Sequence, residues 1–417
     1  MNNSLLYRLD WISLLIYLVL VGIGLFNIYS STFQELGLDF TNLSTNSGKQ
    51  FWIFIACLVV MPFILYLKPN FFEHLSYLFY AISIVGLIGL FIFGQKISGA
   101  TSWYSIGGFG LQPAEFTKIT TALVLSEFLS GIQKDIRKRN DFLKVLFFIL
   151  LPIILILLQP DAGSALVFFA LFFVLFREGL NLKWLLVGLG ILVIFIATLL
   201  FKPLIVNAIF GTILLSILLF RSRKKRKIKL RPYLVLGFSC IALSYSADFV
   251  FNSVFEQRHR DRFNIILGLD TDTKGIGYNI NQSKIAIGSG GFSGKGFLNG
   301  TQTKGGFVPE QHTDYIFSTI GEEWGFLGSS LVVCLFTLLI LRIIYRAEKQ
   351  TNTFRRIFSY AFASILYFHF LINIGMTLGL IPTIGIPLPY ISYGGSSLMA
   401  FSLMLFIYLN LDSNRLT

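Results

Sequence analysis

The chain has 417 residues, 54% of them hydrophobic and only 13% charged, and its 34 Lys and Arg against 21 Asp and Glu leave a formal charge of +13. So apolar a composition excludes a soluble globular domain and defines an integral membrane protein, all-α and polytopic. The surplus charge is gathered in a few short connections, a distribution that speaks for membrane orientation and against a nucleic-acid partner.

A hydrocarbon core about 30 Å thick takes roughly 20 apolar residues per helix, and about twelve such runs can be read along the chain. They fall near 11–30, 51–67, 75–94, 114–130, 142–158, 164–177, 184–201, 204–220, 232–250, 328–345, 357–380 and 388–410. The first lacks a small-residue cleavage site and is followed by a second run, so it is expected to be a retained helix and not a signal peptide. Cys57, Cys240 and Cys334 lie inside apolar runs. There a thiol behaves as a small hydrophobe, which argues against both a disulfide framework and a metal site. The whole of 1–417 reads as one membrane domain.

Basic residues mark every second connection. Lys134, Arg137, Lys138 and Arg139 crowd one; Arg221, Arg223, Lys224, Lys225, Arg226, Lys227, Lys229 and Arg231 crowd another; Arg342, Arg346, Lys349, Arg355 and Arg356 form the third. With a cytoplasmic N-terminus these loops, and the C-terminal tail with Arg415, all fall on the cytoplasmic side. They orient the protein against lipid headgroups, and docking of a cytoplasmic partner is the alternative reading. The connections near 31–50, 95–113, 159–163, 251–327 and 381–388 then face outward. The fourth far exceeds ordinary connection lengths. Its Ile285, Ile287, Phe292, Phe297 and Phe307 favour an ordered element lying on the membrane surface.

Taken in chain order, the outer stretches carry the chemistry. Trp103 to Gln112 is glycine-rich and aromatic, reads as a re-entrant or interfacial loop, and enters a helix at Pro113. Glu115 and Lys118, three residues apart, share a helix face near its outer end and can pair. Ionisable groups at that depth are costly and face a cavity or a partner helix. Either the pair is structural, or the lysine receives a lipid-linked phosphate. Asp161, after Gln159-Pro160, suits a helix N-cap or a supporting role beside a site. The Gly288 to Gly296 stretch resembles a phosphate loop, but Ser289 and Gly296 break the pattern, and a nucleotide site is rejected. Asp314 opens the run Tyr315 to Ile320. At a helix start it is favoured as the carboxylate and can serve as a weak base, or it is simply a solvated loop acid. Ser392 to Ser397, following Pro382, Pro387 and Pro389, interrupts the last apolar run. Broken helices of this kind suit anions or merely break.

Three blocks identify a resemblance: Gln282 to Gly291 with Gly294-Lys295-Gly296; Phe307 to Phe317, including Pro309-Glu310-Gln311-His312-Thr313-Asp314; and Asn373 to Ser397, with Ile386-Pro387-Leu388-Pro389. Together with Gly99 to Lys118 and Gln159 to Ser164, they closely resemble the SEDS family of cell-wall synthases. Lys284 and Gly294-Lys295-Gly296 tilt the likeness to the rod-shape (RodA) branch over the division (FtsW) branch.

The resemblance implies a peptidoglycan glycosyltransferase that polymerises lipid II, a disaccharide-peptide on undecaprenyl diphosphate, at the outer face of the cytoplasmic membrane during cell elongation. It implies Asp314 as the catalytic residue. Lys118, oriented by Glu115 and assisted by His312, would meet the departing diphosphate, with Trp103, Asp161, Ser392 and Ser396 around the substrate. A divalent ion, Mg²⁺ or Mn²⁺, is implied by likeness only, since no metal-ligand spacing stands in the sequence. The implied partners are a class B penicillin-binding transpeptidase and other membrane proteins of the elongation complex. Two features depart from the family pattern: the runs at 204–220 and 232–250 read as an inserted pair, and Thr101-Ser102 precede Trp103 where a basic residue is usual. A lipid II flippase, a division-type polymerase and a non-catalytic scaffold are the alternatives. A flippase needs a polar path to the cytoplasmic side, and few ionisable residues stand inside the runs away from their outer ends.

Overall fold

The computed structural model describes residues 7–32, 40–97, 99–106, 109–223, 230–254, 257–267 and 276–415. The chain divides into two compact units, one of residues 1–179 with 278–417 and one of residues 180–277.

In the larger unit α1 (Trp11–Ser31), α2 (Asn46–Tyr66) and α3 (Ser76–Phe93) lead into a three-stranded antiparallel sheet: β1 (Gln95–Ile97), β2 (Ala100–Ile106) and β3 (Phe109–Leu111). Gln95 faces Trp103, and Tyr104 faces Leu111. The connection expected as a re-entrant or interfacial loop thus carries a small sheet, because its Thr, Trp, Tyr and Ile suit strands and pair across turns. Gly107 and Gly108 lie outside the described residues. There follow α4 (Pro113–Ser130), α5 (Arg139–Leu157), α6 (Ala162–Val167) and α7 (Leu171–Arg177). The smaller unit holds α8 (Leu182–Arg223), which bends at Lys202 before Pro203, and α9 (Arg231–Phe249) packed on it. Asn207 Nδ2 donates to Ser244 Oγ at 2.8 Å between them, satisfying a polar pair in apolar surroundings. Residues 224–229 of the basic connection lie outside the described residues. After α10 (Ile276–Ser289) the larger unit resumes with α11 (Ile316–Ala347), α12 (Thr353–Thr377) and α13 (Gly395–Ser413).

Among the described residues nine helices are long and apolar enough to cross a membrane. The chain is a multi-pass membrane protein. Its count differs from the twelve apolar runs for three physical reasons. The runs at 184–201 and 204–220 are two helical arms of α8 that meet at a non-helical break at Lys202 (φ 63°) and count as one continuous element. The run at 164–177 is one apolar helix, Ala162–Arg177, shorter than the other spans and tightened by a 3-10 turn at Phe168–Ala170. The third, α4, carries Glu115, Thr117, Lys118, Thr120 and Thr121, and packs against α3 and α12, so most of its surface meets protein and not lipid.

α11 starts at Ile316, inside the stretch expected as outer connection, and breaks at Gly325 (φ 64°). The glycine-rich turn is bonded across that break. Lys295 N and Gly296 N donate to the carbonyls of Glu322 (3.0 Å) and Glu323 (2.9 Å), while Phe326 N and Leu327 N reach back to Gly291 O and Phe292 O. The amides that a phosphate loop would offer to an anion here satisfy a broken helix. A Cβ at Gly294 (φ 80°) would stand 2.1 Å from Glu323 O. Gly294→Ala is expected to destabilise the protein by more than about 2 kcal/mol, read as a lowered melting temperature in detergent. Gly22→Ala in α1, where nothing lies within 4 Å, should leave it unchanged or raised.

At the opposite end of the same helices buried charges are paired. Asp10, the N-cap of α1, accepts from Arg342 Nε at 2.7 Å. Asp412 accepts from Arg346 Nε (2.7 Å) and Gln350 Nε2 (3.0 Å). Both carboxylates are inaccessible, and each has the guanidinium partner that a buried charge requires.

Candidate active site

Four chain segments meet at one end of the larger unit, and polar side chains fasten them. Gln112, just before the Pro113 that opens α4, donates from Nε2 to Asp161 Oδ2 (3.0 Å) and Ser164 Oγ (3.1 Å), and from its backbone N to Ser396 Oγ (3.0 Å). Ser396 Oγ in turn donates to Gly110 O at 3.0 Å. Asp161 also caps α6, accepting from Ser164 N at 3.0 Å. Capping and cross-linking thus belong to one carboxylate. Trp103 lies over β3: a Cβ at Gly110 would come within 3.0 Å of its ring.

The second knot surrounds Asp314. Ser392 Oγ donates to Thr313 O (2.6 Å) and accepts from Leu388 N (2.8 Å), Tyr393 N donates to His312 O (2.8 Å), and Asn373 Nδ2 bridges Asp314 O (2.9 Å) and Ile386 O (2.8 Å). These bonds fix the backbone from His312 to Asp314 against α12 and the irregular tract before α13. Asp314 is half-buried, and its Oδ2 would lie 3.4 Å from a Cβ at Gly385, an exposed glycine. A Cβ at Gly163 would be 2.7 Å from Ile384 O, so the same tract also touches the start of α6 beside Asp161. Glu310 (φ 53°) and Tyr390 (φ 67°) hold left-handed conformations on either side of the knot, strain that the surrounding bonds must offset.

Lys118 lies deeper. Its Nζ is 2.7 Å from Glu115 Oε1 and 2.9 Å from His369 Nε2, and the residue is 1% exposed. His369 Nδ1 is 3.0 Å from Pro387 O. Since a carbonyl can only accept, Nδ1 carries the proton, Nε2 is the acceptor, and Lys118 donates to both partners. His369 stands one turn before Asn373 on α12, so the Lys118 group and the Asp314 knot share a helix face. The predicted ion pair is present, but the lysine is sealed from solvent.

His312 is half-buried with its ring 5.7 Å from that of Tyr393. Burial holds its ring below the ordinary histidine range, against the pull of Glu310. The unfolded chain therefore takes up a proton first, and stability is lost as pH falls below about 6.5. His312→Gln should flatten that acid slope in melting temperatures recorded between about pH 7.5 and 5.5.

Sequence reading passed over Gln112, His369 and the bridging role of Asn373. His369 and Asn373 are polar residues in an apolar run, a signal that points to a partner inside the bundle. Among the described residues no three His, Cys, Asp or Glu side chains converge.

A half-buried carboxylate, a buried lysine pair and the broken tract before the last helix belong together in a chain that is a member of the cell cycle protein family of FtsW, RodA and SpoVE, whose model matches residues 10–205 and 183–416. Within it, the chain is 32% identical to the peptidoglycan glycosyltransferase RodA of Treponema pallidum, over 98% of each chain. It is 31% identical to the peptidoglycan glycosyltransferase MrdB of Escherichia coli K12, over 98% of this chain and 94% of the relative. A probable FtsW of Enterococcus hirae is 30% identical, over 98% and 93%. Among solved structures it is similar to a chain of a peptidoglycan synthase complex that coordinates polymerization and crosslinking (TM-score 0.72, 26% identity, 98% of both chains). It shares the fold of Thermus thermophilus RodA (TM-score 0.63, 23% identity, 98% of both).

Proposed function

We propose that this protein is a peptidoglycan glycosyltransferase that polymerises lipid II at the outer face of the cytoplasmic membrane during elongation, with Asp314 as general base. The observation that carries the reading is the Asp314 carboxylate, held half-open beside exposed Gly385 by a backbone fastened at Thr313 and Asp314. Asp314 takes the proton of the sugar 4-hydroxyl as that oxygen attacks the anomeric carbon of the second lipid II. The anomeric C–O bond breaks with inversion, and the electron pair leaves on the undecaprenyl diphosphate. Positioned proton transfer of this kind contributes typically 10²–10⁴-fold. The buried Lys118–Glu115–His369 group braces the cleft from behind.

Basic connections on the cytoplasmic side and the catalytic tract outside give the topology this reading requires. Likeness to a chain of a synthase complex supports a class B penicillin-binding transpeptidase as partner. The test is purified protein, with that partner, on lipid II. Glycan strands on a gel support the reading, and lipid II moved across vesicles without polymerisation would replace it with a flippase.

A further inference from the structure

The site needs a cation that substrate can reach, and Lys118 is sealed behind Glu115 and His369. Lys284 of α10 is exposed and, among the described residues, has no carboxylate within ion-pair distance. Three contacts place it beside the Asp314 knot. Its neighbour Ser283 donates to Thr377 O of α12 at 2.9 Å, one turn, or about 6 Å, beyond the Asn373 that holds Asp314 O. Ala286, on the next turn of α10, is buried with Val308 and Tyr315, the residue after Asp314. The Lys284 side chain itself lies along Gly379 (φ 70°), where an added Cβ would stand 2.4 Å from Cε and 2.7 Å from Nζ. From Gly379 the chain runs through Thr383, bonded to Tyr315 at 2.6 Å, to Gly385 beside Asp314 Oδ2.

We propose that Lys284 is the substrate-facing cation of this site and contacts the diphosphate of the polyprenyl-linked sugar. The proposal rests on the glycosyltransferase reading above. An ammonium on an exposed helix face, lying along Gly379 at the head of the tract that leads to Gly385 beside the base, can meet the phosphate oxygens that gain charge as the anomeric bond breaks. It does so without opening the buried Lys118 pair. The simpler role for such a residue, a solvated lysine at the membrane interface, predicts no effect on phosphate binding.

The test measures binding of undecaprenyl diphosphate, and of undecaprenyl monophosphate as control, to the full chain in detergent, alongside lipid II polymerisation with the transpeptidase partner. Lys284→Gln is expected to weaken diphosphate affinity by about tenfold or more, the size of a lost charge-assisted contact. Lys284→Arg should restore it, and the salt dependence of binding should flatten in the glutamine variant. Any smaller loss in Lys284→Gln overturns the proposal, as does a loss that the arginine variant shares or one equal for the monophosphate. Measuring the same affinities in the Asp314→Asn background keeps binding separate from turnover. Wild-type protein that binds the diphosphate through Lys284 but makes no glycan would sink the polymerase reading and leave the lysine's contact standing.

Discussion

Asp314→Asn is expected to yield a folded protein that makes no detectable glycan, with a loss of about 10²–10⁴-fold in polymerisation. The fold should survive because two backbone bonds that the substitution leaves untouched hold this stretch: Asn373 holds Asp314 O, and Ser392 holds Thr313 O. The asparagine keeps the shape and removes the basic oxygen. Melting temperature in detergent and strand length on a gel, measured on the same preparation, separate the two effects. Equal polymerisation by wild type and variant would remove Asp314 from the chemistry.

The second large effect concerns stability. Lys118→Met leaves the Glu115 carboxylate buried, with Oε1 stripped of its cation and Oε2 already without a hydrogen-bond partner among the described residues. Breaking a buried pair from one side costs about 3–5 kcal/mol, whereas replacing both partners by apolar residues of similar volume is often neutral. The Lys118→Met, Glu115→Leu double variant should therefore melt well above the single variant, falling short of wild type only by the about 1–3 kcal/mol of the buried His369 Nε2 acceptor that both variants leave unpaired. Activity of the double variant then reports what the charge pair does for catalysis once folding is restored. If the two variants melt alike, the pair is not coupled as the 2.7 Å contact requires.

How much of this was legible beforehand depends on the range of each interaction. Apolar runs announced the helices because lipid imposes length and composition locally. The Glu115–Lys118 pair was legible from its spacing for the same reason. His369 was not, since its value lies in meeting α4 and Pro387, 251 and 18 residues away. Asp314 could be found by its motif, yet by pattern alone it read first as a solvated loop acid; the bonds of Asn373 and Ser392 give its backbone a fixed place. The accessibility of Lys118 could not be read at all. Helical spacing tells which face a side chain shares, and only the packing of α12 and α13 around α4 decides that this face is closed. Lys284 and Gly379, nearly a hundred positions apart, likewise become neighbours only when α10 docks on the end of α12.

The tract from Thr383 to Gly394 has no repeating backbone pattern, yet it touches the start of α6, the face of α12, the Asp314 backbone and Gln50 of α2. A ladder of backbone bonds would make its shape all-or-none. Here separate side chains act as independent fasteners, so the shape of the tract beside Asp314 can be retuned one clasp at a time while the surrounding helices stay as they are.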